Sequence, residues 1–207
     1  PSVMRREGAA VLWKRWRLLE GTALYDLDSD PHQDTNIIKD HPDIAHRMTE
    51  ALDRWWHDVG PVANELQRIT IGNDAENPMV LSACEWTDVF LDQQLQVRVG
   101  KRRNSYWHLS VDRPGTYRFG LRRWPQESGL ALTEGCGATE VADGTLVEGV
   151  ALPIARARMM IAREQHAVDV APTDTEAVFT VELNAGPTLL HTWFDDQRGE
   201  TICGAYY

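Results

Sequence analysis

The sequence predicts an α+β unit followed by an all-β unit, and three observations carry that reading. Short apolar, aromatic-rich runs open the chain, one amphipathic helical repeat follows, and apolar residues recur at every second position from Leu66 onward. The helical repeat stops at Gly60-Pro61, which places the boundary between residues 1–62 and residues 63–207. The first unit is expected to be a small antiparallel sheet with a terminal helix. The second is expected to be a β-sandwich of jelly-roll-like type, with no helix required.

Each element follows from local chemistry. Residues 2–28 read as the small sheet. Val11-Leu12-Trp13 and Trp16-Arg17-Leu18-Leu19 alternate apolar with basic residues, Glu20-Gly21 turns the chain, and Leu24-Tyr25-Asp26-Leu27 returns it. For the helix, Asp40 is the expected N-cap, with Pro42 in the first turn and Asp43 at the positive end of the dipole. Ile44, Met48, Leu52, Trp55, Trp56 and Val59 form its apolar stripe, with Trp55 or Trp56 expected to meet Trp13 or Trp16.

In the second unit, Trp107, Leu109 and Val111 share one face of a strand, and Tyr117, Phe119 and Leu121 share one face of the next. Asp112-Arg113-Pro114-Gly115 joins them, so the two are expected to form a hairpin. Ala177, Phe179, Val181 and Leu183 mark another strand, and Asn184-Ala185-Gly186-Pro187 and Asp196-Gln197-Arg198-Gly199 turn the chain into the last two. Further strand candidates lie at residues 69–71, 80–84, 153–161 and 167–170.

Composition narrows the function classes. The 207 residues are 43% hydrophobic and carry a formal net charge of -10, which argues against nucleic acid or an anionic membrane as partner. The basic run Arg98-Val99-Gly100-Lys101-Arg102-Arg103 reads as a solvated loop. Cys84, Cys136 and Cys203 lie far apart and describe no metal site, although one disulfide stays open. No apolar run has membrane-spanning length, and the N-terminal residues have no signal-peptide core. The ends read as those of a piece cut from a longer protein.

Asp26-x-Asp28-x-Asp30 resembles the start of a calcium loop but fails it, with Pro31 where Gly is needed and Ile37 where a bidentate Glu is needed. The alternative is that these carboxylates cap a turn. His32, His41, His46 and His57 have no metal-ligand spacing and read as surface or hydrogen-bonded residues. No nucleophile motif or phosphate loop is present. Arg122-Arg123-Trp124 is the most suggestive cluster, because paired arginines beside an aromatic suit anionic or sugar ligands. Alternation points Arg123 inward and Trp124 outward. Trp86, Trp107 and Trp193 join them as candidates for ligand or interdomain contact, against the plainer reading that they are core.

Trp16-Arg17-Leu18-Leu19-Glu20-Gly21, Leu24-Tyr25-Asp26-Leu27, Asp30-Pro31, Asn36 and His41-Pro42-Asp43, leading into a helix that ends in Trp55-Trp56, resemble in order and spacing the C-terminal end of arylsulfatase-type sulfatases. The resemblance covers roughly residues 1–60. The later stretches Gly72-Asn73-Asp74-Ala75-Glu76-Asn77-Pro78, 118–125 and Gly204-Ala205-Tyr206-Tyr207 are similar to an accessory β domain of some bacterial sulfatases. The resemblance implies a parent enzyme, periplasmic or secreted, that hydrolyses sulfate esters with a formylglycine and a divalent metal such as calcium. Those parts belong to an N-terminal catalytic domain, the expected partner of this chain. None of the three cysteines begins the Cys/Ser-x-Pro/Ala-x-Arg motif, so no catalytic or metal residue of the family carries over, and this chain is expected to be non-catalytic and to hold no cofactor. Isolated, it would expose apolar surface and self-associate. A sulfated carbohydrate is the alternative ligand of the β unit.

Overall fold

The structure is a computed structural model, and it describes residues 4–89 and 91–207. The chain divides into two units, Pro1–Leu66 and Gln67–Tyr207.

In the first unit, β1 (Ala10–Trp13), β2 (Trp16–Leu19) and β3 (Ala23–Asp26) form an antiparallel sheet in that order. Residues 2 and 3 of the expected sheet lie outside the described residues. Helix α1 (Pro42–Ala63) follows, and Trp16, Leu18 and Leu24 of the sheet share a core with its Ala45 and Met48. Three details differ from the sequence-based expectation. His41, not Asp40, is the N-cap: its carbonyl accepts the first helical bond, from the Ala45 N–H at 3.1 Å, while the Asp40 and His41 N–H groups both turn onto the Ile37 carbonyl. The helix continues through Gly60-Pro61 to Ala63, since a proline in the last turn removes only one hydrogen bond. The sheet tryptophans are met near the helix start, where His41 lies 5.0 Å from Trp16 and the Arg47 guanidinium lies 4.4 Å over Trp13. Trp55 and Trp56 face each other instead, at 6.0 Å. The reason is the connecting loop. The Ile37 N–H donates to the Leu24 carbonyl at 2.9 Å, which delivers the beginning of α1, and not its end, to the sheet.

The second unit is mostly strand. Its largest sheet has the order β10 (Glu164–Asp169), β9 (Arg156–Ile161), β12 (Gly186–Asp195), β5 (Tyr106–Val111) and β4 (Ile69–Ile71), with β13 (Thr201–Cys203) also on β12. All of its pairings are antiparallel except the parallel β4–β5. A second sheet pairs β6 (Gly115–Leu121) with β11 (Ala177–Leu183), and a small third sheet pairs β7 (Thr139–Val141) with β8 (Gly144–Leu146). Trp107, Leu109, Met159 and Leu190 of the large sheet share one core with Leu121, Phe179 and Val181 of the β6–β11 pair.

The strands expected at residues 106–111 and 116–121 both exist, but they form no hairpin. β5 takes β12 and β4 as neighbours, and β6 takes β11. Alternation specifies which face of a strand is buried, not which strand lies beside it. At the turn, the Asp112 N–H is committed to the Ile71 carbonyl at 2.9 Å, and Arg113 is held by Asp74 at 2.7 Å. Residues 80–84 form no strand either; Ala83–Glu85 is a 3-10 turn closed reciprocally by Ser82 and Glu85. The unit also contains a short helix, α2 (Gln94–Arg98).

Helix α2 overturns the solvated reading of the basic run at its first residue. Arg98 is 7% exposed and donates to the carbonyls of Gly137 and Val147 at 3.1 and 2.7 Å and to Thr139 Oγ1 at 3.1 Å. It ties the loop around β7 and β8 to the core through carbonyl acceptors, which a guanidinium fork reaches several at a time.

Candidate binding groove

Strand β6 has one sheet neighbour among the described residues, β11, so its other edge is open. Alternation puts Tyr117, Phe119 and Leu121 toward the core, and Arg118, Gly120 and Arg122 on the opposite face. Glu176, just before β11, reaches over that face to Arg118 at 2.5 Å and to Arg122 at 2.8 Å. Gly120 leaves the room, because a Cβ there would collide with the Glu176 carboxylate. The three charges form a clasp, with Arg118 largely in water and Glu176 and Arg122 mostly covered.

Along the open edge runs a groove of about 740 Å³, walled by β6 on one side and by Met79, Val80 and Leu81 on the other. Trp107 and Leu190 lie in its floor. Tyr117 stands at the β4 end, where its hydroxyl donates to the Arg113 carbonyl at 2.7 Å. Tyr207 stands at the other end, where the Arg122 N–H donates to the Tyr207 carbonyl at 2.8 Å. The groove offers apolar surface, unpaired strand backbone and an arginine-rich rim.

Of the residues singled out from sequence, Arg122 alone presents its side chain at this rim. Arg123 points inward as expected and is fully buried, donating to the Glu134 carbonyl at 2.9 Å and to the Val150 carbonyl at 2.5 Å. Burial pushes its pKa down. Trp124 does not point outward. It is 5% exposed, donates to the same Glu134 carbonyl at 2.9 Å and stacks under the Arg123 guanidinium at 4.4 Å. Two consecutive residues can both be inward because β6 ends at Leu121 and strict alternation ends with it. Gly149 completes the fit, since a Cβ there would run into Trp124 and Cys136. Trp107 donates to the Ser82 carbonyl at 2.9 Å and meets Trp86 edge-on at 5.7 Å. Trp86 is buried as well, packing over Gly204 and toward Tyr206.

Trp193 is the exception, half-buried and flanked by His191 at 4.0 Å and the Arg158 guanidinium at 4.9 Å. Arg158 is fixed in turn by the buried Asp195, which also accepts from Thr201 Oγ1 at 2.9 Å. Burial pushes the Asp195 carboxyl up, but hydrogen bonds from Arg158 and Thr201 outweigh it and hold the group below the usual carboxylate range. The unfolded value is about 3.9. The carboxylate's contribution is therefore fully present above that pH and is lost as pH falls through the lower folded value. The unfolding free energy of the second unit should fall below about pH 4 in an acid titration, with a shallower slope in Asp195→Asn.

Arg118, Gly120 and Glu176 were not singled out from sequence. The alternation that places Arg122 on the outer face of β6 also places Arg118 and Gly120 there, so these two were legible. Glu176 was not, because it reaches the clasp through the β6–β11 register, a pairing between residues more than fifty apart in sequence.

The acidic turn of the first unit is organised by backbone capping. Asp30 accepts from the N–H groups of Thr35 at 2.9 Å and Asp34 at 3.0 Å, and these hold its carboxyl below the usual range. Asn36 accepts from Leu24 and Ile38 at 3.0 and 3.1 Å and donates to the Thr22 carbonyl at 3.2 Å. Asp26 accepts from the Asp28 N–H at 3.2 Å. All three cysteines are free thiols; burial pushes Cys203 up to about 11, which leaves it protonated near neutral pH. Among the described residues, no group of three or more His, Cys, Asp or Glu is placed to hold a metal ion, and no helix is long and apolar enough to cross a membrane. Compared with protein-family models, curated proteins and solved structures, the chain matches none of them.

Proposed function

We propose that this chain is a non-catalytic C-terminal portion of a sulfatase, a sulfuric ester hydrolase. In this reading the unit formed by residues 1–62 completes the packing of an N-terminal catalytic domain of the same polypeptide. Residues 63–207 are an accessory interaction domain, a β-sandwich of jelly-roll-like type in which the β6–β11 pair is one layer and the large sheet the other. Formylglycine and the divalent metal would belong to the catalytic domain. The observation that carries the reading is the role of the motif residues. Asp30 and Asn36, two elements of the sulfatase-like pattern, accept backbone N–H groups and set the path from β3 to α1. A spacing that resembles a family pattern therefore coincides with a local architecture that uses those residue types.

One observation favours a second reading, a module for sulfated carbohydrate. Trp193 keeps part of its ring accessible beside Arg158 and His191, and Arg118 and Arg122 rim the groove. Aromatic faces and guanidinium forks suit sugar rings and sulfate groups. Binding of sulfated glycans that is lost in Trp193→Ala would establish it, and no binding to any sulfated or neutral sugar would sink it.

The main reading is tested by activity. The purified chain should not turn over an aryl sulfate ester, whereas the same chain joined to its natural upstream polypeptide should. Turnover by the chain alone would overturn the proposal. So would an upstream polypeptide that lacks the Cys/Ser-x-Pro/Ala-x-Arg motif.

A further inference from the structure

The face of the large sheet turned away from the core carries a second cluster of polar and aromatic side chains. His191 and Trp193 of β12 stand there beside Tyr106 of β5 and Arg158 of β9, their partners in register. Each polar group is fixed from behind. Asp195 holds Arg158 through Nε and Nη2 at 2.5 and 2.9 Å, Asp88 accepts from the Tyr106 hydroxyl at 3.2 Å, and Asn104 meets His191 Nε2 at 2.8 Å. Such support is what a binding site needs and a merely solvated face does not. The Asn104 contact also fixes the imidazole tautomer. The Asn104 amide nitrogen donates to the Thr192 carbonyl at 2.8 Å, so its oxygen is the atom that meets His191, and Nε2 must supply the proton. Burial, and after it the Arg158 charge, hold the imidazole below its ordinary pKa, so the ring is neutral near pH 7 and its Nδ1 is a bare acceptor. Nδ1 has no hydrogen-bond partner among the described residues, and neither have two donors, Arg158 Nη1 and the Trp193 indole N–H. None of the three is shut off from water.

We infer that this sheet face is the carbohydrate site of the second unit, and that it recognises the uncharged hydroxyls of a sugar rather than a sulfate group. Charge selects first. Arg158 is matched by Asp195, and Arg156, the other outward cation of β9, lies opposite Asp169 in the β9–β10 register, so the face is electrically matched to an uncharged ligand. Hydrogen bonding selects next. A sulfate only accepts, so it would use the two donors and leave Nδ1 stripped of water and unpaired. A hydroxyl both donates and accepts, so neighbouring hydroxyls of a sugar satisfy all three atoms. The His191 ring and the Arg158 guanidinium lie 4.0 and 4.9 Å from the Trp193 ring, close enough for one disaccharide to reach both. Its C–H groups would cover the aromatic carbon that Trp193 and Tyr106, both half-buried, leave in water. The inference rests on the carbohydrate reading of this unit, moves its site from the arginine rim of the groove to the sheet face, and is independent of sulfatase parentage.

Isothermal titration calorimetry tests it, with laminarihexaose, cellohexaose and maltohexaose, all uncharged, and with the chemically sulfated form of each. Nuclear magnetic resonance of the Trp193 indole N–H locates the ligand. At least one uncharged hexaose should bind, shift the Trp193 signal, and change in affinity by less than about twofold between about 50 and about 500 mM salt. His191→Phe keeps a ring against Trp193 but has no acceptor, and should weaken that binding about fivefold. Trp193→Phe, which removes the indole donor and keeps an aromatic ring, should weaken it comparably and replaces His191→Phe if that variant fails to fold. Binding by the sulfated forms alone would overturn the inference and leave the carbohydrate reading standing. The same holds for an uncharged sugar that binds without moving the Trp193 signal or without loss in the variants. Absence of binding by every one of these sugars would sink both.

Discussion

Replacing Arg123 with alanine should cost the second unit about 2–5 kcal/mol, read as a fall in the denaturant midpoint with little change in slope. The side chain is fully buried; in its absence the Val150 carbonyl loses the guanidinium that donates to it, whereas the Glu134 carbonyl keeps the Trp124 indole N–H. Two effects add. The orphaned Val150 carbonyl carries a desolvation penalty of about 1–3 kcal/mol, and the vacated volume removes the stacking partner of Trp124. Arg123→Lys separates charge from geometry. It retains the cation but cannot span both carbonyls with a planar fork, so it should recover less than half of the loss. If Arg123→Ala left the midpoint unchanged, the arginine would be free to serve a ligand and the structural role assigned here would be wrong.

Trp107→Ala should be similarly damaging, at about 3–5 kcal/mol, because the indole lies at the centre of the core. It is 2% exposed, meets Trp86 edge-on and anchors the Ser82 carbonyl ahead of the 3-10 turn. Trp107→Phe keeps most of the buried area and should lose about 1–2 kcal/mol, from the lost indole hydrogen bond and the smaller ring, since the Ser82 carbonyl keeps the Glu85 N–H at 3.1 Å. Near-ultraviolet circular dichroism provides a second readout, since the Trp86–Trp107 pair is a rigid aromatic contact whose signal should vanish in both variants. Because a domain of this size has only about 5–15 kcal/mol of total stability, the alanine variant should be measurably unfolded under mild denaturant.

These outcomes bear on how a tryptophan- and arginine-rich sequence is read. Trp86, Trp107, Arg123 and Trp124 look alike in sequence to residues that present an aromatic platform, yet all four lie in the core. What separates them from Trp193 and Arg122 is not residue type or spacing. For Trp107, Arg123 and Trp124 it is whether a carbonyl from another loop arrives to accept the polar group, whereas the Trp86 indole N–H is buried with no partner among the described residues. Glu134 does so for Arg123 and Trp124, and Ser82 does so for Trp107. Those acceptors are backbone atoms, and backbone atoms carry no sequence signal.

By itself the sequence determined the elements whose signal is local: β1 to β3, the helix over most of its length, and the inward faces of β5, β6 and β11, because side-chain period and turn chemistry act within a few residues. It also marked the carboxylates Asp26, Asp28 and Asp30 as residues of a capped turn, and Asp26 and Asp30 do accept backbone N–H groups there. Tertiary structure alone decided that β5 and β6 part company, that Trp124 turns inward, and that Arg98 is buried. It also decided that Glu176 crosses Gly120 to clasp two arginines beside an open strand edge. Each of these depends on which distant segment arrives alongside. Partner choice in a sheet is made by long-range packing, and an alternating pattern only states which face must be covered.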